Sequence, residues 1–421
     1  MGGIMLSTTT RPGSARIIFL VFLAAMIEGF DLQAAGVAAP KLAPVFGLTP
    51  AQMGLFFSSA TFGLIFGAIS GGMISDRFGR RLGLSLALFI FGIFSLATAA
   101  VTSVEGLIAM RFLTGVGLGG ALPNLVAIAV ESTTPERRGR AVSIMYAGIP
   151  FGGAIASVVA MAGLHDDWRT IFIAGGIMPM LLVLPLFMML PQLKVEKSEK
   201  TKKEGAWRQV FSPDTALRSV LLWTGFFFGI MVLYLLLNWL PTLLVTRGLD
   251  RQEAGLIQVI FNIAGAVGGL TGGWFLDGKR KVFNGSLCFL LLVVSLVLLG
   301  LAPANFAANA IAGALIGVSV MAAQSLLYGI APQCYAPDVR GTGVGLAVAV
   351  GRVGSVVGPL FAGGLIAAGR SPTEVLMAIV PVAVVAGIAT VLLLSRLRDL
   401  PGDGLAQGGV PGHATPSMVK P

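Results

Sequence analysis

The stretch GMISDRFGRR, residues 72–81, is a short basic turn between two long apolar segments. Its charged residues are Asp76, Arg77, Arg80 and Arg81. Because glycine adopts backbone angles that other residues avoid, Gly79 permits a tight turn, and Gly72 permits a neighbouring helix to approach closely. The arginines can hold the turn at a membrane surface and reach acids at nearby helix ends, of which Glu131 is a candidate. The turn therefore predicts a network of charges at one face of a membrane protein.

The composition around this turn is that of an integral membrane protein. The chain has 421 residues, of which 55% are hydrophobic and 11% are charged, whereas soluble proteins carry about 25% charged residues. Apolar stretches long enough to span a bilayer, about 20 residues each, recur from Ile17 to Leu394. We predict an all-α membrane protein with twelve transmembrane helices and no separate soluble domain. The predicted helices lie near residues 17–39, 53–74, 83–101, 106–130, 141–162, 169–190, 219–240, 254–276, 283–301, 306–330, 342–366 and 374–394.

One long polar connection divides the predicted helices into six and six. The predicted parts are an N-terminal six-helix half at 1–190, a cytoplasmic linker at 191–218, a C-terminal six-helix half at 219–395 and a cytoplasmic tail at 396–421. Two short motifs also repeat, since GMISDR at 72–77 is echoed by GWFLDG at 273–278, and PERRG at 135–139 by PDVRG at 337–341. Two similar halves around a central axis are typical of secondary transporters, whose substrate site lies between the halves.

The basic residues are unevenly distributed among the predicted loops. With the N-terminus inside, 22 of the 29 lysines and arginines fall on the inner side, five on the outer side and two within helices. Because cytoplasmic loops are enriched in Lys and Arg, both termini and the linker are predicted to be cytoplasmic. The net charge of +10 does not indicate nucleic-acid binding, since the charge is not gathered on a soluble face. We expect a multi-pass protein of a bacterial inner (cytoplasmic) membrane, because no organelle-targeting signal is present.

Three motifs carry a resemblance to a known family. The pattern of residues 72–81 resembles the G-x-x-x-D-R-x-G-R-R signature of the major facilitator superfamily, and RFLTGVGLGG at 111–120 is similar to that superfamily's R-x-x-x-G-x-G-x-G-G helix. The glycines of this helix are expected to mark close helix contact. EGFD at 28–31 resembles the D-G-F/Y-D signature of the aromatic acid:proton symporters, with Glu28 in place of the first aspartate.

The resemblance implies a function and a gate. It implies a proton-coupled secondary transporter that imports aromatic carboxylates such as 3-(3-hydroxyphenyl)propionate by alternating access. It also implies that the basic turn belongs to a cytoplasmic gate formed by Gly72, Asp76, Arg77, Gly79, Arg80 and Glu131.

Two alternative functions stay open on the same fold. One is a drug/proton antiporter, although GIPFGG at 148–153 matches the antiporters' glycine-proline pattern only in part, which weakens this alternative. The other is an importer of another organic acid, benzoate-type or muconate.

Four ionisable residues lie at membrane depth, where charges are costly and usually functional. From helix rise, Glu28 and Asp31 lie about 18 and 22 Å above Arg16, while Arg352 lies about 18 Å above Arg340. Arg111 lies about 21 Å above the inner surface of a 30 Å core. The depths match Glu28 with Arg352 and Asp31 with Arg111. We predict that the two acids couple proton movement and that Arg352 binds the substrate carboxylate, the alternative being two fixed ion pairs that only hold the bundle together.

Further polar and aromatic residues in the predicted helices can hydrogen-bond or stack on an aromatic ring. The predicted substrate-binding residues are Arg352, Arg111, Asn124, Tyr146, Asn238, Trp239, Gln324 and Tyr328, with Tyr234 as a further polar candidate and Phe30 and Phe57 as apolar wall. Cys288 and Cys334 have no metal-ligand spacing and are expected to pack, and no chemistry is assigned to His165 or His413.

No nucleophile, histidine pair or metal cluster occurs at one depth, which disfavours a membrane enzyme. A passive channel fits poorly with a two-half repeat that carries a gating-type turn. The expected partners are an aromatic carboxylate, a proton and the lipid bilayer. We expect a monomer that needs no cofactor, no metal and no nucleic acid.

Overall fold

The apolar segments form helices because a backbone surrounded by hydrocarbon must satisfy its own hydrogen bonds. The computed structural model describes residues 14–134, 137–162, 167–190, 210–272, 280–336 and 339–398. Within these ranges it contains twelve helices that are long and apolar enough to cross a membrane. They are α1 Ser14–Phe46, α2 Pro50–Phe78, α3 Arg80–Ala100, α4 Val104–Glu131, α5 Arg138–Met161, α6 Arg169–Met189, α7 Pro213–Thr246, α8 Arg251–Gly272, α9 Lys281–Leu301, α10 Phe306–Ile330, α11 Arg340–Ala367 and α12 Pro372–Arg398.

Several helices extend beyond the apolar stretches that predicted them. The first helix continues to Phe46, through Pro40 and Pro44. The second begins at Pro50 because Thr49 forms a capping box with Gln52, which satisfies backbone groups that the helix leaves free. Hydropathy identifies only the apolar part of a helix, so it underestimates the length of helices that continue into polar surroundings.

Helix packing repeats between the two halves. In the first half α1 packs on α5, α2 on α4 and α3 on α6, and in the second half α7 packs on α11, α8 on α10 and α9 on α12. Each pair in the second half is the first-half pair moved on by six helices. This packing confirms the predicted fold class of twelve helices in two six-helix repeats. Residues 191–209 of the linker, the echo at 273–278 and parts of both PERRG and PDVRG lie outside the described residues.

The two halves meet at one side of the bundle. We call the side on which α1 begins and α12 ends the termini side. Packing between the halves involves α2 with α11, α5 with α8, and α1 with α7. An added Cβ at Gly54 would contact Pro359, one at Gly255 would contact Met161, and one at Gly36 would contact Asn238. All three places lie toward the ends of their helices farther from the termini, so the halves are closed together on the side opposite the termini.

Close packing inside the first half depends on glycines in α2 and α4. A Cβ added at Gly115 or Gly119 would collide with the backbone of α2 at Ala60 and Leu64, as the motif at 111–120 predicts. Small residues of this kind let transmembrane helices approach closely. The close approach predicted for Gly72 is wrong. A Cβ added there would meet no atom of the described residues within 4 Å, whereas one at Gly71 would collide with Gly120.

We predict opposite effects of the same substitution at these two neighbouring glycines. Gly71→Ala forces α2 away from Gly120, and overpacking of this kind typically costs about 1–3 kcal/mol. Gly72→Ala enters open space and should be neutral or stabilising by up to about 1 kcal/mol, since alanine favours helix. Thermal unfolding of the two variants in detergent measures the difference. Equal midpoints would show that α2 and α4 are not held at the observed distance.

Candidate functional site

A cavity lies between the halves, near the middle of the bundle. Its empty space measures about 890 Å³, including the part open to solvent. Much of its wall is apolar, with Leu32, Leu122, Ile230 and Phe261 among the lining residues. Of the residues predicted from the sequence, the lining includes Glu28, Tyr146, Tyr234, Gln324, Tyr328 and Arg352.

The cavity opens toward the termini side. Tyr146 and Tyr328 line it near the termini-side ends of α5 and α10, and they are 39% and 42% exposed. Tyr234, deeper in the cavity, is buried. Three of the four tyrosines in the chain therefore surround this one cavity. Tyrosine combines an aromatic body with a polar tip, which suits a site for an aromatic ligand that also carries polar groups.

Glu28 and Arg352 provide the charges of the cavity. The Glu28 side chain is 2% exposed, and its Oε2 atom has no hydrogen-bond partner among the described residues. Arg352 is half-buried, and its Nη1 donates to the Tyr234 hydroxyl at 3.0 Å. Within the described part of the chain, Arg352 forms no ion pair with Glu28 or another acid. The pairing of Glu28 with Arg352 that the depth match predicts is thus absent in this state, and both groups face the cavity instead.

Asp31 and Arg111 form the other ion pair predicted from depth. The Nη1 atom of Arg111 donates to both carboxylate oxygens of Asp31, at 2.9 and 3.0 Å. Both side chains are fully buried, at 0% and 1% exposed, and the guanidinium lies 5.6 Å from the ring centre of Phe172. Neither residue is among those that line the cavity. The pair joins α1 to α4 inside the first half.

Three further predicted binding residues are turned away from the cavity in this state. The amide nitrogens of Asn124 and Asn238 donate to carbonyls one turn back in their own helices, both at 2.8 Å. The indole of Trp239 donates to the Pro359 carbonyl at 3.0 Å and stacks edge-on against Phe57, with 5.1 Å between ring centres. The predicted wall residue Phe30 is likewise buried without lining the cavity.

A cluster of three amides, which the sequence reasoning missed, lies toward the closed end of the cavity. The Nε2 atom of Gln33 donates to Asn262 Oδ1 at 2.7 Å, and Gln33 Oε1 accepts from Gln258 and Asn262, both at 2.8 Å. The cluster connects α1 in the first half to α8 in the second. The sequence does contain a feature that indicates this cluster. Gln258 and Asn262 are four residues apart, on one face of an apolar helix, where polar side chains are rare.

The basic turn between α2 and α3 has the geometry of a loosely held charge network. Gly79 has a φ of 93°, which the tight turn needs. Arg80 lies 3.4 Å from Asp76 and 3.6 Å from Glu131, and the Asp76 side chain is 65% exposed. Arg77 stacks on Phe78, its own neighbour. All these contacts stay within the first half, as expected if the halves are apart on this side.

The remaining reactive residues carry no visible site. Cys288 and Cys334 are free thiols buried in the helix bundle. In the part of the chain that the structure describes, no three His, Cys, Asp or Glu side chains are grouped so that they could hold a metal ion. His165 and His413 lie outside the described residues.

Comparison with known proteins decides the family. The family model described as Major Facilitator Superfamily matches residues 21–277 and 246–417. The chain belongs to the major facilitator superfamily. It is 42% identical to the 3-(3-hydroxy-phenyl)propionate transporter of Escherichia coli (strain K12), over 93% of this chain and 98% of the relative. It is 30% identical to a 4-hydroxybenzoate transporter of Pseudomonas aeruginosa, over 90% and 92%.

A solved structure shares the fold of this transporter. The inward-facing, unoccupied structure of a bacterial homolog of the human lysosomal transporter Spinster matches with a TM-score of 0.76. That likeness covers 92% of this chain and 98% of the other, at 19% sequence identity. The protein is therefore a transporter with the major facilitator fold. Its halves are closed on the side opposite the termini, and its central cavity is open on the termini side.

The ion pair of Asp31 and Arg111 predicts a large loss of stability when one partner is removed. Arg111→Leu leaves a buried carboxylate without a cation, and breaking such a pair typically costs about 3–5 kcal/mol. The double variant Asp31→Leu/Arg111→Leu removes both charges and should recover much of that loss. Thermal unfolding in detergent tests this, with Arg370→Leu, which opens an exposed pair with Glu374, as the control. A double variant no more stable than Arg111→Leu would show that the unpaired carboxylate of Asp31 does not cause the loss of stability.

Proposed function

We propose that this transporter imports aromatic carboxylates, with 3-(3-hydroxyphenyl)propionate as the leading substrate, together with protons. The observation that carries the proposal is the central cavity, which brings one guanidinium, Arg352, and one carboxyl group, Glu28, together with three tyrosines. The 42% identity to a transporter of this acid supports the choice of substrate. We further propose that the protein is a monomer in a bacterial inner membrane, with its termini in the cytoplasm.

The proposed binding mode follows from the charges of the cavity. A substrate carboxylate pairs with Arg352, which is held by the Tyr234 hydroxyl and has no acid partner among the described residues. Charge-assisted hydrogen bonds of this kind are stronger than neutral ones and give orientation as well as affinity. The aromatic ring then occupies the apolar part of the cavity, which Tyr146 and Tyr328 also line.

Proton coupling follows from competition for Arg352. An ionised carboxylate in an apolar site is costly unless a cation is close. While Arg352 is unoccupied, its charge stabilises the ionised form of Glu28 in the same cavity. When a substrate carboxylate takes that charge, Glu28 becomes a buried acid without a cation and binds a proton. Asp31 stays paired with Arg111 and is the second candidate for coupling.

The open side then faces the cytoplasm. With both termini inside, a cavity open on the termini side releases substrate into the cell. The network of Asp76, Arg80 and Glu131 would act as the cytoplasmic gate, with Gly72, Arg77 and Gly79 completing the turn. Uptake would require this side to close and the opposite side, including the contact of Phe57 with Trp239, to open.

A benzoate-type acid is the second candidate substrate. The observation that favours it is the 30% identity to a 4-hydroxybenzoate transporter, over 90% of this chain. Such an acid has a shorter arm between carboxylate and ring, and competition between the two acids in one uptake assay ranks them.

We predict that uptake of 3-(3-hydroxyphenyl)propionate depends on a proton gradient. Proteoliposomes with an acidic outside should concentrate the labelled acid, and adding it to a lightly buffered medium should make that medium more alkaline. Protein-free liposomes, tested in parallel, show how much of the undissociated acid enters through the lipid alone. Accumulation that persists after complete collapse of the proton gradient would contradict the coupling.

Variants of Glu28 and Arg352 should separate the effect on proton coupling from the effect on substrate binding. Glu28→Gln cannot release a proton, so it should exchange labelled for unlabelled substrate across vesicles but fail to concentrate it. Arg352→Ala should lose binding of the acid, because the carboxylate loses its only proposed cation. Glu105→Gln, an acid at the start of α4 on the opposite side, is the matched control and should accumulate substrate. Normal accumulation by Glu28→Gln would transfer the coupling role to Asp31.

A further inference from the structure

One amide in the cavity wall differs from every other deeply buried amide in the described residues. The amide side chains that are at least nine-tenths buried are Gln33, Asn124, Asn238, Gln258, Asn262, Asn309 and Gln324. Six of them form at least one hydrogen bond. For Gln324, neither Oε1 nor Nε2 has a partner among the described residues, although the side chain is only 5% exposed and lines the central cavity.

Unpaired buried polar atoms are costly, because they have lost water and gained nothing in return. A buried polar residue without partners calls for an explanation. Since Gln324 lines the cavity, a ligand that completes its hydrogen bonds supplies one. The Gln324 amide packs against the backbone of α7, since a Cβ built on Gly229 would lie 3.0 Å from the amide nitrogen. Glycine at position 229 therefore lets the amide lie close to α7 in the cavity wall.

The position of Gln324 relative to Arg352 sets what the ligand must offer. Gln324 lies beside Gly229, and Arg352 bonds to Tyr234. These two residues of α7 are five positions apart, which corresponds to about 7.5 Å along the helix axis. An acid whose carboxylate sits at Arg352 and whose ring points toward the level of Gly229 can bring its far end to Gln324. A primary amide presents a donor and an acceptor together, and a hydroxyl group is the small group that matches both.

We propose that Gln324 selects aromatic acids that carry a ring hydroxyl, by donating to and accepting from that hydroxyl while Arg352 holds the carboxylate. The inference rests on the proposed function, because it assumes an aromatic carboxylate in this cavity. An acid without the hydroxyl leaves both amide atoms unpaired, so it is discriminated against by the cost of that unpaired group as well as by the missing bond.

The test is a cycle of two acids and two proteins. The KM values for 3-(3-hydroxyphenyl)propionate and 3-phenylpropionate are measured in proteoliposomes, for the unaltered chain and for Gln324→Met, which keeps the shape of the side chain without its polar atoms. We expect the unaltered protein to prefer the hydroxylated acid. In Gln324→Met this preference should fall by roughly 2- to 15-fold, the range of one neutral hydrogen bond, through a higher KM for the hydroxylated acid, a lower KM for 3-phenylpropionate, or both.

Two further variants keep the test decisive. Met321→Leu changes the same wall one turn away without altering hydrogen bonding, and the ratio of the two KM values should stay unchanged. Gly229→Ala places a methyl group against the amide nitrogen and should lower the preference while Gln324 is retained, so the inference can be tested even if Gln324→Met fails to fold.

The possible failures can be told apart. If both acids are transported and the KM ratio is the same in all variants, or if Gln324→Met weakens both acids equally, the inference is overturned and the proposed function stands. If neither acid is transported by the unaltered protein, the proposed function fails and the inference fails with it.

Discussion

The cost of placing a charge in an apolar bundle is the constraint on which this structure depends. Four ionisable side chains lie deep in the helices, and the structure treats them in two ways. Asp31 and Arg111 neutralise each other completely and fix α1 against α4. Glu28, three residues earlier on the same helix, faces the cavity instead, with one carboxylate oxygen unpartnered among the described residues. One turn of α1 thus carries both a buried ion pair and an acid that faces the cavity, and we propose that the charge of this acid depends on what occupies the cavity.

The fold was largely predictable from sequence, because length and hydropathy determine membrane helices and the repeated motifs divide them into halves. The sequence did not predict which face of each helix lies toward the cavity. A strictly amphipathic helix shows its buried face through periodicity, but α4 and α7 are apolar nearly all round. Depth therefore predicted the pair of Asp31 and Arg111, yet it could not show that Arg352 faces the cavity and Arg111 does not. For the same reason, depth could not show that Asn124 and Asn238 bond to carbonyls of their own helices.

In a helix, a contact assigned to a position one residue away from the true one is assigned to a different face of the helix. Gly71 and Gly72 are both glycines of the same turn, and the family signature includes the second. Successive residues point about 100° apart around a helix, so only Gly71 meets α4. The amides of Gln33, Gln258 and Asn262 were overlooked because they carry no charge. Their cost in an apolar setting is nonetheless large enough that each requires a partner.

Closely approaching glycines occur both within the first half and between the halves, but the first half also contains a buried ion pair. Inside the first half, α2 and α4 approach through interlocking glycines, and an ion pair fixes α1 to α4. Between the halves, the closed side is joined by neutral bonds, such as those of Gln33 with Asn262 and of Ser58 with the Val356 carbonyl. Water can replace a neutral hydrogen bond at little net cost, whereas separating an ion pair buried in hydrocarbon is expensive. The molecule can therefore open between its halves while each half moves as a rigid unit, as alternating access requires.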